Sequence, residues 1–249
     1  MAAPFDFLSA DGAMNTLVRG HDWSATPLGT AEHWPTALKT LLGVMIGSPQ
    51  PMLLVWGAAQ TTLYNEGYAA MLGGRHPGAL GQAFGDVWFD IWDQVEPILS
   101  RAYAGEPTYM SDIEFLMRRN GYLEETHFDF SYTPVRDEAG AVIGMFCVCT
   151  ETTERVAVEK ALRESEAATR GREAQFRRLA QSVPYQVWTA TADGTIDWVN
   201  DRVMAYCNAT AEQLATDWGM FVHPEDADHA GKGWAAAVAG SDRYESEFR

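Results

Sequence analysis

Apolar and polar side chains alternate through residues 112–119 and again through residues 122–135. A period of two is typical of strands that bury one face. Asn120-Gly121 lies between the two runs and predicts a tight antiparallel hairpin turn with positive φ at both residues. Residues 141–149 are apolar at nearly every position, which predicts a central strand covered on both faces. The second run brings four aromatic side chains to one face: Tyr122, Phe128, Phe130 and Tyr132.

The third strand leads directly into a charged helix. Glu151-Thr152-Thr153-Glu154-Arg155 supplies short polar side chains that suit a helix N-terminus. Residues 154–183 are helical in composition, and one seam along them alternates spacings of three and four. The seam consists of Val158, Leu162, Ser165, Thr169, Arg172, Phe176, Leu179 and Val183. It fits a signalling coiled coil, and a plain solvated spacer helix is the alternative.

Upstream of these strands, the pattern predicts a short helix within residues 11–20 and a longer one from residue 34. The longer helix carries one apolar stripe: Trp34, Leu38, Leu41, Leu42, Met45 and Ile46. This stripe packs either on its own domain or in a dimer interface, and periodicity does not separate the two. A hairpin and short helices are expected next, at residues 52–56, 61–65, 66–72, 79–88 and 91–103.

Two strands, a helical connection and three further strands resemble a PAS domain. Residues 151–155 resemble the Asp-Ile-Thr-x-Arg signature at the PAS exit, with glutamate in place of aspartate. Most of residues 5–156 is similar to the amino-terminal sensor region of soluble bacterial histidine kinases, often of the HWE class. The matching motifs are His21-Asp22-Trp23-Ser24, Thr26-Pro27-Leu28-Gly29, Tyr64-Asn65-Glu66-Gly67-Tyr68, His76-Pro77, Trp88, Asn120-Gly121-Tyr122 and residues 150–155. Because the helical seam starts where this resemblance ends, we favour the coiled coil over the spacer.

Residues 184–249 resemble a second PAS domain, with a hairpin around Asp193-Gly194, short helices, a helix from residue 223 and a strand at residues 244–248. Two strands of that fold are missing, so we expect the chain to be part of a longer protein. The predicted fold class is α+β, with a five-stranded antiparallel PAS sheet. The predicted domains are an N-terminal helical extension (1–48), a PAS domain (49–153), a coiled-coil signalling helix (154–183) and an incomplete PAS domain (184–249).

The 249-residue chain has a formal net charge of -16, which disfavours binding to nucleic acid. Its three cysteines show no paired spacing that would indicate a disulfide framework, and Cys147 and Cys149 should point to one face of a strand. Neither a signal peptide nor an apolar run long enough to span a bilayer is found in the sequence. We therefore expect a cytoplasmic protein.

No phosphate-binding loop, kinase nucleotide motif or phosphoacceptor box occurs in the sequence, so no enzymatic activity and no catalytic residue are expected within it. His223, Asp226, Asp228 and His229 are the closest group of possible metal ligands. Carboxylates at the start of a helix explain this group without a metal, and no metal site is expected.

Eight aromatic residues are candidates for lining a pocket between sheet and helices: Trp56, Tyr64, Phe84, Trp88, Phe115, Phe128, Phe130 and Phe146. Buried aromatics more often pack than bind a cofactor, so an empty core is expected. The resemblance argues against a flavin adduct of the light-oxygen-voltage (LOV) type, because residues 79–88 hold no cysteine. It also argues against haem in residues 91–103, which hold no histidine; His229 leaves a weak haem possibility in the second unit.

The resemblance implies a sensory and dimerisation module of a bacterial two-component histidine kinase. Glu151, Thr153 and Arg155 are the expected signal relay from the sheet to the helix. The expected partners are a second copy, bound through the N-terminal helix and the coiled coil, a downstream kinase domain and a response regulator. Alternatives are the input module of a cyclic-dinucleotide cyclase or phosphatase, and a protein-interaction PAS domain without a ligand.

Overall fold

The computed structural model describes residues 4–8, 11–240 and 244–247. The chain divides into two compact units, Met1–Lys160 and Ala161–Arg249. This division falls inside a long helix, α6 (Thr153–Ser182). The domain boundaries expected from the sequence at residues 48, 153 and 183 stay predictions.

The first unit is built on one five-stranded antiparallel sheet. Its strands are β1 (Met52–Trp56), β2 (Thr61–Tyr64), β3 (Thr108–Met117), β4 (Glu124–Arg136) and β5 (Val142–Glu151). The sheet order is β2-β1-β5-β4-β3, so the apolar strand β5 is central, as its composition predicted. Its odd-numbered residues from Met145 to Cys149 face a buried layer of side chains, whereas Phe146 and Val148 on the other face are half-buried. The α+β fold class with a five-stranded antiparallel sheet is confirmed.

Helices cover both faces of this sheet. They are α1 (Ala13–Gly20), α2 (Thr36–Ile46), α3 (Glu66–Leu72), α4 (Phe84–Val87) and α5 (Trp92–Tyr103). Helix α5 packs against β3, β4 and β5, and α2 packs against β1 and β2. Leu38, Leu42 and Met45 are 0% exposed within this unit, so the apolar stripe of α2 packs on its own domain. The large side chain that α2 leaves exposed is Val44.

A helix over residues 79–88 is wrong, since only Phe84–Val87 is α-helical there. The backbone before it hydrogen-bonds to the edge of β2: Thr62 N–H donates to Gln82 O at 2.8 Å, and Gly81 N–H donates to Thr62 O at 2.9 Å. Each backbone group can satisfy its hydrogen-bonding need in the sheet or in a helix but not in both. Here the bonds to β2 form instead of a longer helix, and the local sequence pattern does not indicate these bonds between distant residues.

The hairpin between β3 and β4 is confirmed, but its two-residue turn is wrong. Residues 118–123 form the loop, and only Gly121 in it has a positive φ, of 85°. Other partners hold the loop open, because Arg118 N–H donates to Asp90 at 2.7 Å and Gly74 N–H donates to Arg119 O at 3.0 Å. Tyr122 therefore lies outside β4 and is 61% exposed, rather than on its buried face.

The second unit contains the end of α6, a two-stranded sheet and three further α-helices among its described residues. Its elements are β6 (Trp188–Ala190), β7 (Ile196–Val199), α7 (Asp201–Cys207), α8 (Ala211–Thr216) and α9 (Pro224–Val238). The predicted hairpin is confirmed, with Gly194 at a φ of 89°. Residues 244–247 do not form the predicted strand, and Phe248 lies outside the described residues.

Two buried asparagines repeat one hydrogen-bond pattern in the two units. Asn65 and Asn200 are both 0% exposed, and each caps the helix that follows it. Each side chain accepts from backbone N–H groups 13 residues before and 3 residues after it. Each also donates to carbonyl oxygens 20 and 15 residues before it. Hence the end of α6 occupies in the second unit the place that the end of α2 occupies in the first.

Within the residues that the structure describes, no helix combines the length and the apolar character needed to cross a membrane.

Candidate functional site

A small cavity lies between the inner face of the sheet and the helical connection. Its volume is about 30 Å³. Strands β3, β4 and β5 and helices α3, α4 and α5 all contribute to its walls. Five of the eight aromatic candidates from the sequence line it: Phe84, Trp88, Phe115, Phe128 and Phe130.

Trp56, Tyr64 and Phe146 do not line this cavity. Trp56 and Phe146 point to the opposite face of the sheet, because side chains alternate along β1 and β5. Trp56 instead borders a surface groove beside α2. Tyr64 is on the cavity side but on β2, two strands away from β5, where its hydroxyl contacts His76 Nδ1 at 2.9 Å.

Polar and sulfur-containing residues complete the cavity wall, and the sequence pattern had not indicated them as lining residues. They are Tyr68, Met71, Met117, Tyr132, Cys147 and Cys149. Burial raises the pKa of the Cys147 thiol well above its usual value, and its hydrogen bond with Cys149 raises it further. Burial also raises the pKa of Tyr68 and of Tyr132, so the Cys147 thiol and both phenols are neutral at pH 7. The signal that could have found the thiols was their shared strand face.

The cavity volume limits what the packed core can hold. A cavity needs about 10 to 15 Å³ of this kind of volume to hold one water molecule, and this cavity has about 30 Å³. A single ion or about two water molecules fit, whereas a tricyclic flavin ring or a haem would require the core to open. The residues present therefore do not fit either organic cofactor in this arrangement.

The last residue of the central strand is held by a bidentate ion pair. The Glu151 carboxylate accepts hydrogen bonds from both terminal nitrogens of Arg119, each at 2.8 Å. The Arg119 side chain, in the β3–β4 loop, is 9% exposed, and it also donates to Met71 O at 3.0 Å. Burial alone would raise the pKa of Glu151, but the hydrogen bonds and charge of Arg119 lower it below its usual value. A bidentate pair of this kind holds the two side chains in one relative orientation in addition to stabilising their charges.

The first residues of α6 are bonded to strand β4. Thr153 Oγ1 donates to Glu151 Oε1 at 3.0 Å and accepts from His127 N–H at 2.9 Å. Thr152 N–H donates to His127 O at 2.7 Å. Thr152 is thus the single residue between strand and helix, and both of its neighbours in this junction are fixed to the sheet.

Asp112 ties the same junction to the edge strand β3. Its carboxylate accepts from Thr152 Oγ1 at 3.0 Å and from Arg155 at 3.2 Å. Asp112 lies in a β-bulge and has a φ of 54°, an unusual conformation for a residue other than glycine. The Arg155 side chain is 49% exposed, so its ion pairs contribute less than the buried pair of Arg119 and Glu151. Glu151, Thr153 and Arg155 therefore do lie together at the sheet exit; their relay role stays a prediction.

Among the described residues, one His and two Glu side chains could share a metal ion. The ligand atoms of Glu114, Glu125 and His127 lie within 4.8 Å of one another on the outer face of β3 and β4. Both glutamates are exposed, and such groups are common without a metal. The possible metal ligands noted in the sequence at residues 223–229 are not brought together in this way among the described residues. His223 caps α9, and His229 is exposed and does not line the cavity of the second unit.

The family model described as PAS fold matches residues 47–157. This segment is a PAS domain. PAS domains are sensory and signalling modules, and the matched segment contains the whole five-stranded sheet, the cavity and the start of α6. No curated protein sequence matches the chain.

Solved structures similar to this chain include other PAS and LOV proteins. The PAS domain of BvgS from Bordetella pertussis is 20% identical, with a TM-score of 0.40, and the match covers 54% of this chain and 99% of that one. An RNA-binding light-oxygen-voltage receptor is 18% identical, with a TM-score of 0.39, and the match covers 58% of this chain and 41% of that one. A LOV protein from Rhodobacter sphaeroides is 15% identical, with a TM-score of 0.37, and the match covers 46% of this chain and 66% of that one. The match thus spans less than half of the RNA-binding receptor.

Proposed function

We propose that this chain is the sensory and dimerisation module of a cytoplasmic bacterial histidine kinase in a two-component system, of the HWE class. The motifs that resemble this class support the kinase context. In this proposal the chain itself is not an enzyme: it passes a signal from the PAS domain through α6 to a kinase domain, which then phosphorylates a response regulator.

The observation that carries the proposal is the junction between β5 and α6. The central strand ends in Glu151, which Arg119 holds, and the helix starts in Thr153, which bonds both Glu151 and His127. Since only Thr152 separates strand from helix, a displacement of β5 cannot be absorbed by a flexible linker. A change in the cavity, whose wall includes Cys147 and Cys149 of the same strand, would therefore move the first turn of α6.

Replacing Glu151 by glutamine tests this relay. The substitution removes the charge that holds Arg119 while keeping the size of the side chain. We expect the full-length kinase to lose the dependence of its autophosphorylation rate on the sensory unit, so that its activity becomes fixed at one level. The measurement is autophosphorylation from radiolabelled ATP, compared with that of a kinase lacking residues 1–150.

Glu154→Gln is the matched control, because Glu154 is exposed and only three residues further along the chain. It should leave autophosphorylation unchanged. If Glu151→Gln leaves the output of the full-length kinase as it was, while protein levels are equal, the relay is wrong.

The exposed seam of α6 supports the dimerisation part of the proposal. Val158, Leu162, Phe176 and Leu179 are between 47% and 62% exposed, although each is a large apolar side chain. Such side chains at coiled-coil spacing are stabilised when a second helix covers them. The stripe of α2 is already buried in its own unit, so the linker helix is the better candidate for contact between two copies.

Replacing Leu162 by glutamate should convert a dimer to a monomer. Two like charges would face each other across a seam that is apolar in the parent chain. Sedimentation equilibrium of the 249-residue chain measures the change. Ala167→Glu introduces the same charge at an exposed position outside the seam and should leave the dimer intact. A parent chain that is monomeric at high concentration would contradict the coiled coil.

A protein-interaction PAS domain without a ligand is the second candidate function. The small volume of the cavity favours it, because about 30 Å³ excludes most organic ligands from the packed core. The two candidates differ in whether any small ligand changes kinase output.

A further inference from the structure

The cavity of the PAS domain has an unusual concentration of sulfur. Four of its lining side chains carry sulfur: Met71, Met117, Cys147 and Cys149. They come from α3, β3 and β5, and each is at most 7% exposed. The remaining lining residues are aromatic or aliphatic, and none of the described residues in this wall is Asp, Glu, Lys, Arg or His.

The two thiols are placed side by side. Cys147 and Cys149 are two residues apart on β5, so both side chains leave the same face of the strand. Both thiols line the cavity, and so do the rings of Tyr68 and Tyr132. Both cysteines are free. Residues two apart on a strand are separated by about 6.6 Å, near the upper limit for a disulfide, so the extended strand keeps these thiols apart as two separate ligands.

The chemistry of this wall selects one class of ligand. Thiolate and thioether sulfur are soft donors that favour copper(I) over harder divalent ions. The aromatic faces around them stabilise a cation further. Zinc would require four ligands, normally from thiolate, imidazole or carboxylate groups. Beyond the two cysteines, the cavity offers none of these among its lining residues.

We propose that this cavity binds one soft monovalent cation of the copper(I) type through the sulfur atoms of Cys147 and Cys149, with Met71 or Met117 as a further ligand. The volume suits one ion. The proposal rests on the proposed sensory role of the PAS domain and names the class of ligand that it would detect.

Charge balance determines how the ion is held. One thiol loses its proton to solvent, and the resulting thiolate forms a bond to the cation. The other sulfur atoms bind as neutral donors. The adduct carries no net charge, which matters because an unpaired charge is costly to bury in an apolar cavity. No oxidant or reductant is needed, since the metal enters and stays in the monovalent state.

Anaerobic titration of the purified 249-residue chain with silver(I), a redox-inert probe for copper(I), tests the proposal. Native mass spectrometry should show one ion bound to the cavity in the parent chain, together with the release of one proton. Copper(I) held by a chromogenic chelator should be withdrawn by the protein at the same stoichiometry. The Cys147→Ser/Cys149→Ser variant should lose this binding.

Cys207→Ser is the matched control. Cys207 is a half-buried thiol in the second unit and does not line this cavity. Its replacement should leave the cavity ion bound. Silver binding that disappears with Cys207→Ser and persists in the double variant would overturn the proposal, as would equal binding of zinc at the cavity.

Substitution of Met71 or Met117 by leucine keeps the test valid if the double serine variant does not fold. Leucine preserves volume and removes only the thioether. At least one of the two changes should weaken binding roughly tenfold, as expected for the loss of a supporting interaction at a metal site. Unchanged affinity in both would overturn the thioether part. Because these measurements use no kinase output, failure of metal binding leaves the Glu151 relay test unaffected, and the reverse also holds.

Discussion

Replacing Asn65 by alanine should destabilise the first unit by about 4 kcal/mol, since several buried backbone groups would lose a hydrogen bond and each group left without a partner costs about 1 to 3 kcal/mol. The Asn65 amide contacts three carbonyl oxygens at 2.6 to 3.1 Å, those of Met45, Ser48 and Gln50. Its oxygen accepts from Met52 N–H and Tyr68 N–H, both at 3.0 Å. One side chain thus connects the end of α2, the start of β1 and the start of α3.

Urea denaturation followed by tryptophan fluorescence measures this loss, and hydrogen exchange locates it. Exchange should accelerate in residues 45–72 of Asn65→Ala but not in residues 180–205. Asn200→Ala should give the converse result, because Asn200 makes equivalent bonds in the second unit. Asn120→Ala is the control: Asn120 is exposed and makes one hydrogen bond, to Glu124. A free energy of unfolding for Asn65→Ala within about 1 kcal/mol of the parent would contradict the assigned role.

Replacing Arg119 by methionine should cost about 3 kcal/mol, the size typical of breaking a buried ion pair by removing one partner. The loss leaves the carboxylate of Glu151 partly buried without its counter-ion, together with Glu124, which also contacts Arg119. Adding Glu151→Gln to Arg119→Met should restore part of the stability, because it removes the orphaned charge. A double variant less stable than Arg119→Met would contradict this explanation. Arg118→Met, at an exposed neighbouring position, is the control.

The same substitution should change how stability depends on pH. In the parent chain Arg119 lowers the pKa of Glu151 below its ordinary value of 4.5. The ion pair therefore contributes fully above about pH 4.5, and its contribution is lost as the pH falls through the lowered pKa. Without Arg119, burial is the main influence and raises the pKa of Glu151. The stability difference between parent and variant should thus be largest near neutral pH. It should shrink as the pH falls, first through the raised pKa of Glu151 in the variant and then through its lowered pKa in the parent, as measured by denaturation at a series of pH values.

Local patterns predicted most elements of the sheet because each has an unambiguous period. Ile113, Phe115 and Met117 alternate with polar residues, and the unbroken apolar run of β5 marked it as central. The predicted turn at Asn120-Gly121 failed for a non-local reason: Asp90 and Gly74 hold the neighbouring backbone in a wider loop. The helix over residues 79–88 failed in the same way, because β2 takes up the backbone groups of residues 81–84.

The cavity was partly predictable. Aromatic residues on the inner strands were identified by alternation, but the same rule applied to β1 and β5 assigns Trp56 and Phe146 to the other face. Arg119 was missed because a charged residue beside a turn signal is normally solvated. Its burial depends on Glu151, 32 residues away in the chain, and no spacing rule connects the two. The distinctive bonds of Asn65 and Asn200 were likewise visible only once the distant carbonyl groups were in place.

The anchoring of α6 by Asn200 restricts how the second unit can receive a movement. Asn200 holds the carbonyl oxygen of Ala180 at 2.9 Å, and Gln181 bonds twice to Asp201. A slide by one residue along the helix axis is about 1.5 Å, enough to break these bonds. The end of α6 therefore either carries the β6–β7 hairpin with it as one body or jumps to a different carbonyl partner. If α6 transmits a displacement, as proposed above, these bonds favour a step from one set of partners to another over a small continuous slide.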